Sequence, residues 1–338
     1  MEIENQRESS TELVVAPGSD AGLPTLIREA GANARFAYEE FLDGHISNPH
    51  TRAAYEHAIH KLLREVDSLG LLLQQITPKV VRSHLTRLCD NAGVALSIPT
   101  KKLHLAAVRK FFDIAVMRHA IVLNPAASVR AERYSVVEGK TPSLSIKQVR
   151  ALLRSISPRT AMDHRDLAVI AVLTYTGARI GALAKLRIGD FYQGSDQWYL
   201  RLQEKGGKSR EIPVRHDLLN ILQGYLLASG LDAGSSSPPK PEEPFFRSAA
   251  KKTGVLTKSH VHRNNLCMMI KRRMKKAGIP SRYSAHSFRV MVATDLLGQG
   301  VPREQVQHLL GHADARTTEL YNRNKSEVTR NIVERISV

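Results

Sequence analysis

The chain has 338 residues, 42% of them apolar, and a formal net charge of +17. This length predicts two domains, each large enough to bury a hydrophobic core. No apolar run approaches the roughly 18 to 20 residues that cross a bilayer, so we expect a soluble protein. The acidic N-terminus lacks the basic segment and apolar core of a secretion signal, so we expect a cytoplasmic protein.

The positive charge is concentrated toward the C-terminus. Residues 141–338 carry 32 basic and 16 acidic side chains, residues 34–140 carry 15 and 10, and residues 1–33 carry 2 and 6. Such a surplus indicates a polyanionic partner, because basic side chains that neutralise phosphates release condensed counterions. Nucleic acid is the first candidate, and a merely basic, soluble protein is the alternative.

The N-terminal part of the chain predicts a helical domain. Residues 1–33 are rich in Glu, Ser, Gly and Ala, which predicts a flexible tail. Residues 131–142 lack apolar periodicity and predict a linker. Between them, a helical domain over 34–130 is predicted from four segments with helical periodicity, near 34–42, 51–63, 77–88 and 99–117.

Eight basic side chains lie on the polar faces of these four predicted helices. Each one alone is most often a solvated helix residue, but the set beside a basic second domain could follow a phosphate backbone. The predicted DNA contacts are Lys61, Arg64, Arg82, Arg87, Lys101, Lys102, Arg109 and Lys110.

The second predicted domain covers residues 143–338. An almost wholly apolar segment over Asp163–Thr176 predicts a helix in its core. A glycine turn at the end of this helix delivers Arg179 beside the core, where a guanidinium needs an anion. The structural alternative is an ion pair with one of three nearby carboxylates, Asp163, Asp166 or Asp190.

Three short strands are predicted near 191–192, 198–202 and 210–214. The last two flank a glycine-containing hairpin with Lys205 and Lys208 at its tip, where lysine usually faces solvent. A Pro- and Ser-rich surface loop over 232–244 and a helix over 259–277 follow. The helix ends in a basic run, in which Arg272 and Lys275 are predicted phosphate contacts.

The C-terminal part brings polar groups onto short helices. His286 and Arg289 are three residues apart on a predicted helix and project from one face. The next helix stops at Gly311, so His312 follows a helix end directly. Tyr321 falls near the start of another helix, and a tail helix with an apolar stripe is predicted over 322–338. The cysteines, Cys89 and Cys267, predict reduced core thiols.

Five motifs in this domain resemble those of the tyrosine recombinase or phage integrase family, the class of lambda integrase, Cre and XerC/XerD. They occur in the family's order and spacing, and the resemblance covers roughly residues 34–338. It implies a mainly α fold with a small antiparallel β-sheet, in which a helical core-binding domain and a catalytic domain form a C-shaped clamp. The motifs are Thr176-Gly177-Ala178-Arg179, the hairpin from Lys205 to Pro213, His286-Ser287-Phe288-Arg289, Leu310-Gly311-His312 and Thr317 to Tyr321.

The resemblance implies a site-specific recombinase that cleaves and rejoins DNA through a 3′-phosphotyrosyl link, without metal, cofactor or ATP. Tyr321 would be the nucleophile and His286 its base. Lys205 would protonate the leaving 5′ oxygen, with Lys208 as its nearest rival. Charge that develops on a phosphate during in-line attack also suits fixed guanidinium groups. The groups that hold this phosphate would be Arg179, Arg289 and His312.

The implied partner is double-stranded DNA that contains a specific recombination site. A homotetramer would form on synapsed DNA, while the free protein would be a monomer or weak oligomer in the nucleoid-associated cytoplasm, away from membranes. The N-terminal tail is too short for the arm-binding domain of some phage integrases, so we expect a recombinase that needs only a core site.

One position departs from the family pattern. Ala182 stands where the family usually has Glu or Asp, three residues after the first arginine, to support His286. A water molecule or Asp295 could substitute. Two other functions stay open, a type IB topoisomerase-like enzyme and a catalytically impaired DNA-binding relative. A metal site is not expected, because His286 and His312 lack ligand spacing and an acidic or Cys partner in these motifs.

Overall fold

A computed structural model describes residues 23–44, 46–134, 141–203, 209–232, 234–235, 237–250 and 253–311. The chain divides into two compact units, Met1–Ser135 and Val136–Val338. The described part of each unit is mainly helical, and the second unit also contains two small antiparallel sheets. The predicted mainly α fold with a small antiparallel sheet is therefore confirmed.

In the first unit, local sequence sets where two of the helices begin. The side chain of Asn48 accepts hydrogen bonds from the amides of His50 and Thr51, and that of Thr77 accepts one from Val80. Proline follows each cap at the first helical position. The helices of this unit are α1 (Thr25–Glu29), α2 (Ala32–Asp43), α3 (Pro49–Ser68), α4 (Pro78–Arg87) and α5 (Ile98–Met117).

The prediction of a flexible tail over 1–33 is wrong for the residues that the structure describes, because α1 and the start of α2 lie inside this range. Leu26 and Ile27 are buried in the core of the first unit. The polar average composition of the range gave no sign of this short apolar turn. Burial of its side chains offsets the conformational entropy that is lost when the segment becomes ordered. Residues 1–22 lie outside the described part of the chain.

The core of the first unit contains two buried histidines. His84 is 1% exposed and His104 is 3% exposed. The Nδ1 atom of His84 lies 2.5 Å from a carboxylate oxygen of Glu65 on α3. Within the described ranges, His84 Nε2 and His104 Nδ1 have no hydrogen-bond partner. Both imidazoles therefore sit where a second proton, and with it a positive charge, is costly.

The second unit is built around one central helix. Its α-helices within the described ranges are α6 (Ile146–Arg154), α7 (Ala161–Thr176), α8 (Ile180–Lys185), α9 (His216–Ala228), α10 (Arg263–Lys276), α11 (Ala285–Gly298) and α12 (Arg303–Leu310). Helix α7 packs against α6, α9, α10 and α11, which confirms the core helix predicted there. None of the described helices combines the length and apolar character needed to cross a lipid bilayer.

The larger sheet has the order β1-β2-β3 and is antiparallel throughout. It consists of β1 (Phe191–Gln193), β2 (Trp198–Gln203) and β3 (Ser209–Pro213), and Leu200 pairs with both Phe191 and Ile212. These strands confirm the three that the sequence predicts. The hairpin tip at 204–208 lies outside the described residues.

The helix predicted over 259–277 begins later, at Arg263, because the residues before it form a strand. β5 (Leu256–His260) pairs antiparallel with β4 (Arg247–Ala249), and neither strand is long enough to show a clear alternation in sequence.

The surface loop predicted over 232–244 is hydrogen-bonded to the segment before β1 near its C-terminal end. The amide of Ile188 donates to the carbonyl of Glu243 over 2.9 Å.

Candidate active site

The guanidinium of Arg289 is buried where two helices end. Its side chain is 1% exposed, Nη1 donates to the carbonyl oxygen of Gly177 over 2.9 Å, and Nη2 donates to the carbonyl oxygen of Leu310. Gly177 caps α7, and Leu310 is the last residue of α12. Terminal helix carbonyls lack partners within the helix and carry the negative end of its dipole, so they stabilise a buried cation.

Arg179 also reaches the end of α12. It is half-buried at the N-cap of α8, and its Nη2 donates to the carbonyl oxygen of Gly311 over 3.2 Å. Gly311 directly follows the Leu310 that binds Arg289. Two arginines from distant motifs, hereafter the arginine pair (Arg179 and Arg289), are thus held at adjacent carbonyls.

Both helix ends depend on glycine. Gly177 has a φ of 59° and Gly311 a φ of 62°, in the left-handed region that residues with a Cβ rarely adopt. A Cβ on Gly177 would also lie only 2.6 Å from Cδ2 of Leu310. Gly177 therefore lets α7 and α12 approach closely, and both glycines let the chain turn at the helix ends whose carbonyls hold the arginine pair.

His286 lies in the first turn of α11, three residues before Arg289. Its side chain is partly exposed while Arg289 is buried, so one helix supplies an accessible imidazole and a deep guanidinium. Partial burial and the positive charges of Arg289 and Arg179 lower the pKa of His286. The imidazole is therefore neutral near pH 7 and can accept a proton.

Four of the predicted site residues lie outside the described part of the chain, as does the tail helix predicted over 322–338. The roles of these four residues remain predictions. They are Lys205, Lys208, His312 and Tyr321.

The residue that departs from the family pattern, Ala182, lies in apolar surroundings in the structure. Ala182 is buried in the core of the second unit. Asp295, the suggested substitute, accepts a hydrogen bond from Gln299 Nε2 over 2.9 Å. It follows His286 by nine residues on α11, which is a rise of about 13 Å. Asp295 is therefore too far along the helix to support His286.

The carboxylates near Arg179 in sequence are engaged by other groups. Asp163 and Asp166 lie 2.7 and 2.8 Å from the guanidinium of Arg273 on α10. Asp190 accepts a hydrogen bond from the backbone amide of Arg187 over 3.0 Å. These interactions fasten α10 to α7 and stabilise a turn, which are structural tasks.

Two predicted DNA contacts of the first unit hold its backbone together instead. Lys61 donates to the carbonyl of Cys89, and Arg109 donates to the carbonyls of Ala126, over 3.1 Å, and Val129. Both side chains are half-buried. A cation that already binds carbonyls inside a domain gains less from a phosphate, so the structure favours a structural role for these two.

Of the other basic residues predicted in this unit, Arg64, Arg82 and Arg87 are exposed, and the half-buried Lys101 donates from Nζ to the carbonyl of Thr86 over 3.2 Å. Arg87 pairs with Glu65 on α3, whereas Arg82 and Lys101 line a cavity of about 320 Å³. The Nε of Arg64 donates to the His60 carbonyl of the same helix over 3.2 Å. The remaining two are half-buried on α5, Lys102 and Lys110.

The predicted contacts of the second unit, Arg272 and Lys275, are exposed on α10. Arg272 also lies 3.6 Å from Asp166, so part of the basic run interacts with α7. Across the described ranges, no group of three or more His, Cys, Asp or Glu side chains is arranged to hold a metal ion.

Sequence reasoning missed the backbone carbonyls that hold the arginine pair. The sequence signal for them is a glycine directly after an apolar helix, which occurs at Gly177 and at Gly311. This signal marks where each helix ends. Which guanidinium meets which carbonyl depends on contacts between residues 21, 112 and 132 positions apart.

Two family models match the chain. The phage integrase family model matches residues 142–327, and the model for the phage integrase N-terminal SAM-like domain matches residues 37–119. Among curated relatives, tyrosine recombinase XerC of Haemophilus ducreyi is 28% identical over 292 residues, 84% of this chain and 88% of the relative. Tyrosine recombinase XerD of Listeria innocua is 28% identical over 221 residues, 64% of this chain and 69% of the relative.

Solved structures share the fold. XerH recombinase in a post-cleavage complex with a palindromic difH substrate has a TM-score of 0.62 at 20% identity, covering 80% of this chain and 75% of that one. A lambda integrase tetramer bound to a Holliday junction also has a TM-score of 0.62, at 17% identity, covering 91% and 83%. At these identities the likeness is one of fold.

Proposed function

The chain belongs to the phage integrase family, and from this premise we propose that it is a site-specific DNA recombinase. The observation that carries the proposal is the convergence of Arg179 and Arg289 on the ends of α7 and α12, with His286 on the same helix as Arg289. This arrangement offers two guanidinium groups and a neutral base to one phosphodiester.

The arginine pair would bind the scissile phosphate. Attack in line places charge on the non-bridging oxygens, and guanidinium groups donate stronger hydrogen bonds to them as that charge grows. Each guanidinium has five N–H donors in a rigid plane, and the bonds to the carbonyls of Gly177, Leu310 and Gly311 fix that plane before DNA binds. The donors thus need little reorganisation during the reaction.

In the proposed cleavage step, the phenolic oxygen of Tyr321 bonds to phosphorus while the bond from phosphorus to the 5′ oxygen breaks. His286 takes the phenol proton, and Lys205, or its rival Lys208, gives a proton to the departing oxygen. His312 would donate a hydrogen bond to the phosphate. Deprotonating an ordinary phenol at pH 7 costs roughly 4 kcal/mol, which a base and a cationic field reduce.

Strand exchange would reverse this step with a different 5′-hydroxyl. The hydroxyl oxygen bonds to phosphorus and gives its proton to Lys205, or its rival Lys208, while the bond from phosphorus to the tyrosine oxygen breaks and that oxygen takes back its proton from His286. Because the phosphodiester energy is kept in the 3′-phosphotyrosyl link, the proposed chemistry needs neither ATP nor a metal ion.

The partner in this proposal is double-stranded DNA with a specific site, and the active assembly is a homotetramer on two synapsed sites. The solved lambda integrase tetramer on a Holliday junction supports this assembly by similarity of fold. The free protein would be a monomer or weak oligomer. We propose the nucleoid-associated cytoplasm as its location, since the target is DNA and the charge is +17.

The two alternatives are less well supported. A type IB topoisomerase-like enzyme is not favoured, because both matched family models and the curated relatives are those of integrases and tyrosine recombinases. Loss of catalysis through Ala182 is not favoured either, since the arginine pair is held in place and His286 lies on the same helix as Arg289 without an acid at that position.

The test is covalent capture of DNA. Footprinting on the DNA that flanks the gene first locates a binding site, and a nicked suicide substrate is made from it. We expect denaturation-resistant adducts with the parent protein and with the matched control Tyr192→Phe, and none with Tyr321→Phe. Adducts formed by Tyr321→Phe would reject this nucleophile, and plasmid relaxation without strand exchange would favour the topoisomerase.

A further inference from the structure

Helix α6 carries a stripe of positive charge that the site described above does not use. Lys147, Arg150 and Arg154 are exposed and lie at positions i, i+3 and i+7, within about 60° of one another around the helix. Val149 and Leu152 are buried on the opposite face. We name these three basic residues the α6 stripe.

The residues of the α6 stripe form no salt bridge within the described part of the second unit. None of its three residues forms an ion pair with a described carboxylate, and residues 141–162 contain no Asp or Glu. The basic run of α10 differs, because Arg273 there pairs with Asp163 and Asp166. Like charges at helical spacing destabilise a helix, so the stability of α6 does not explain the stripe.

Contacts on both flanks connect α6 to the elements that carry the arginine pair. On one flank, hydrogen bonds from Arg282 and Gln148 lower the pKa of Tyr283, which lies just before α11. On the other, Arg150 interacts electrostatically with the phenol of Tyr175, near the end of α7. The stripe therefore borders the helices that end at, or carry, the candidate active site.

Two more exposed cations extend this basic surface. The guanidinium of Arg215 lies 5.4 Å from the centre of the Tyr175 ring, and that of Arg282 lies 5.2 Å from the centre of the Tyr283 ring. Arg215 also pairs with Asp217 at 3.1 Å, so its charge is partly balanced. Together they give the surface beside α6 a net positive character.

We propose that the α6 stripe binds backbone phosphates of duplex DNA, at positions that flank the phosphate being cleaved. The inference rests on the proposed recombinase function. From Lys147 to Arg154 the helix rises about 10 Å, and each DNA strand presents a phosphate about every 3.4 Å along the axis, so the stripe matches roughly three phosphates. Such contacts fix the position of the protein and carry no sequence information.

The test compares two triple variants that remove the same charge. Lys147→Gln/Arg150→Gln/Arg154→Gln neutralises the stripe, and Arg28→Gln/Lys79→Gln/Lys240→Gln neutralises three exposed residues elsewhere. Binding of a labelled duplex of arbitrary sequence is measured from about 50 to 300 mM salt. We expect the stripe variant to reduce the slope of log K against log salt by about 2 to 3, and to weaken binding about tenfold or more at 0.1 M. The control should keep the parent slope.

A variant that keeps the three positive charges separates the effect of lost charge on DNA binding from the effect of changed side chains on folding. Lys147→Arg/Arg150→Lys/Arg154→Lys should keep the parent slope, and thermal melting of every variant checks the fold. A folded stripe variant whose slope equals that of the control overturns the proposal. The salt dependence of binding is measured without cleavage, so the two proposals can fail separately. If the parent protein forms adducts but the stripe variant keeps the parent slope, only the role of the stripe is rejected. If the parent protein forms no adducts, only the recombinase function is rejected.

Discussion

Arg289 is held by shape as much as by charge. Its planar guanidinium reaches the carbonyls of Gly177 and Leu310 at once, from two different nitrogens. A lysine ammonium carries the same charge but concentrates it on one atom, so it cannot bridge two fixed carbonyls and also present donors to a phosphate. Retaining the charge is therefore not sufficient to retain the site.

We predict that Arg289→Lys slows adduct formation by about 100- to 1000-fold, because one positioned donor to a developing oxyanion is typically worth that much. The variant should also lose about 1 to 3 kcal/mol of unfolding free energy, because a buried carbonyl is left without its donor. Single-turnover cleavage and urea unfolding measure the two effects. A rate within threefold of the parent would show that charge alone is enough.

His286 gives the site a defined response to acid. Since partial burial, Arg289 and Arg179 lower its pKa below the ordinary 6.5, the imidazole stays unprotonated at pH values where an exposed histidine becomes charged. We predict that single-turnover adduct formation falls in acid with a midpoint below pH 6.5, because the base is lost only when the imidazole becomes protonated. An acid midpoint above 6.5 would exclude His286, with this environment, as the base.

At the scale of elements, the junction between α7 and α12 depends on Gly177. We predict that Gly177→Ala lowers the unfolding free energy by about 2 to 4 kcal/mol, because it adds backbone strain and an overlap with Leu310. Gly230→Ala is the matched control, since Gly230 has a similar φ of 63° but open space around its Cβ position. It should show only the strain, about 1 to 2 kcal/mol.

Urea unfolding of both variants measures this difference. The same displacement of α12 should reduce adduct formation by Gly177→Ala, because the Leu310 carbonyl that holds Arg289 would move. Equal stability losses in the two variants would mean that the helix ends have room to separate.

Across the whole molecule, the features that the sequence predicted correctly are those set by residues close together in the chain. The helix start near residue 77, the left-handed stop at Gly311 and the apolar length of α7 each fix a boundary or a burial from nearby residues. The hydrogen-bond partners of a side chain could not be predicted in this way when the fold brings them together from distant parts of the chain. The clearest case is Arg109, whose spacing matches a solvated helix face but whose guanidinium holds the Ala126 carbonyl.

The same limit applies to α1 and to the pairing of β4 with β5. A five-residue helix and a three-residue strand are too short to establish a period, and their stability comes from the core or the neighbouring strand. The departure at Ala182 is of a different kind. The sequence marks the missing carboxylate, but only the distance along α11 excludes Asp295 as its substitute.

The two units should respond differently to acid, because the buried histidines of the described ranges, His84 and His104, both lie in the first unit. Burial, with His84 and His57 nearby, lowers the pKa of His104 to about 4. The unfolded state binds a proton near pH 6.5 whereas the folded state resists it, so stability is complete above about pH 6.5 and falls toward pH 4. The full loss from His104 is about 3 kcal/mol.

We predict that lowering the pH from 7.5 to 4.5 reduces hydrogen-exchange protection in α3, α4 and α5 more than in α7 and α11, after correction for intrinsic exchange rates. His104→Leu should remove much of this acid sensitivity, because it replaces the imidazole with an apolar side chain that cannot be protonated. His50→Leu, at an exposed position of the same unit, should leave it unchanged. Equal acid sensitivity of the parent and His104→Leu would show that the buried imidazole does not limit the stability of the first unit.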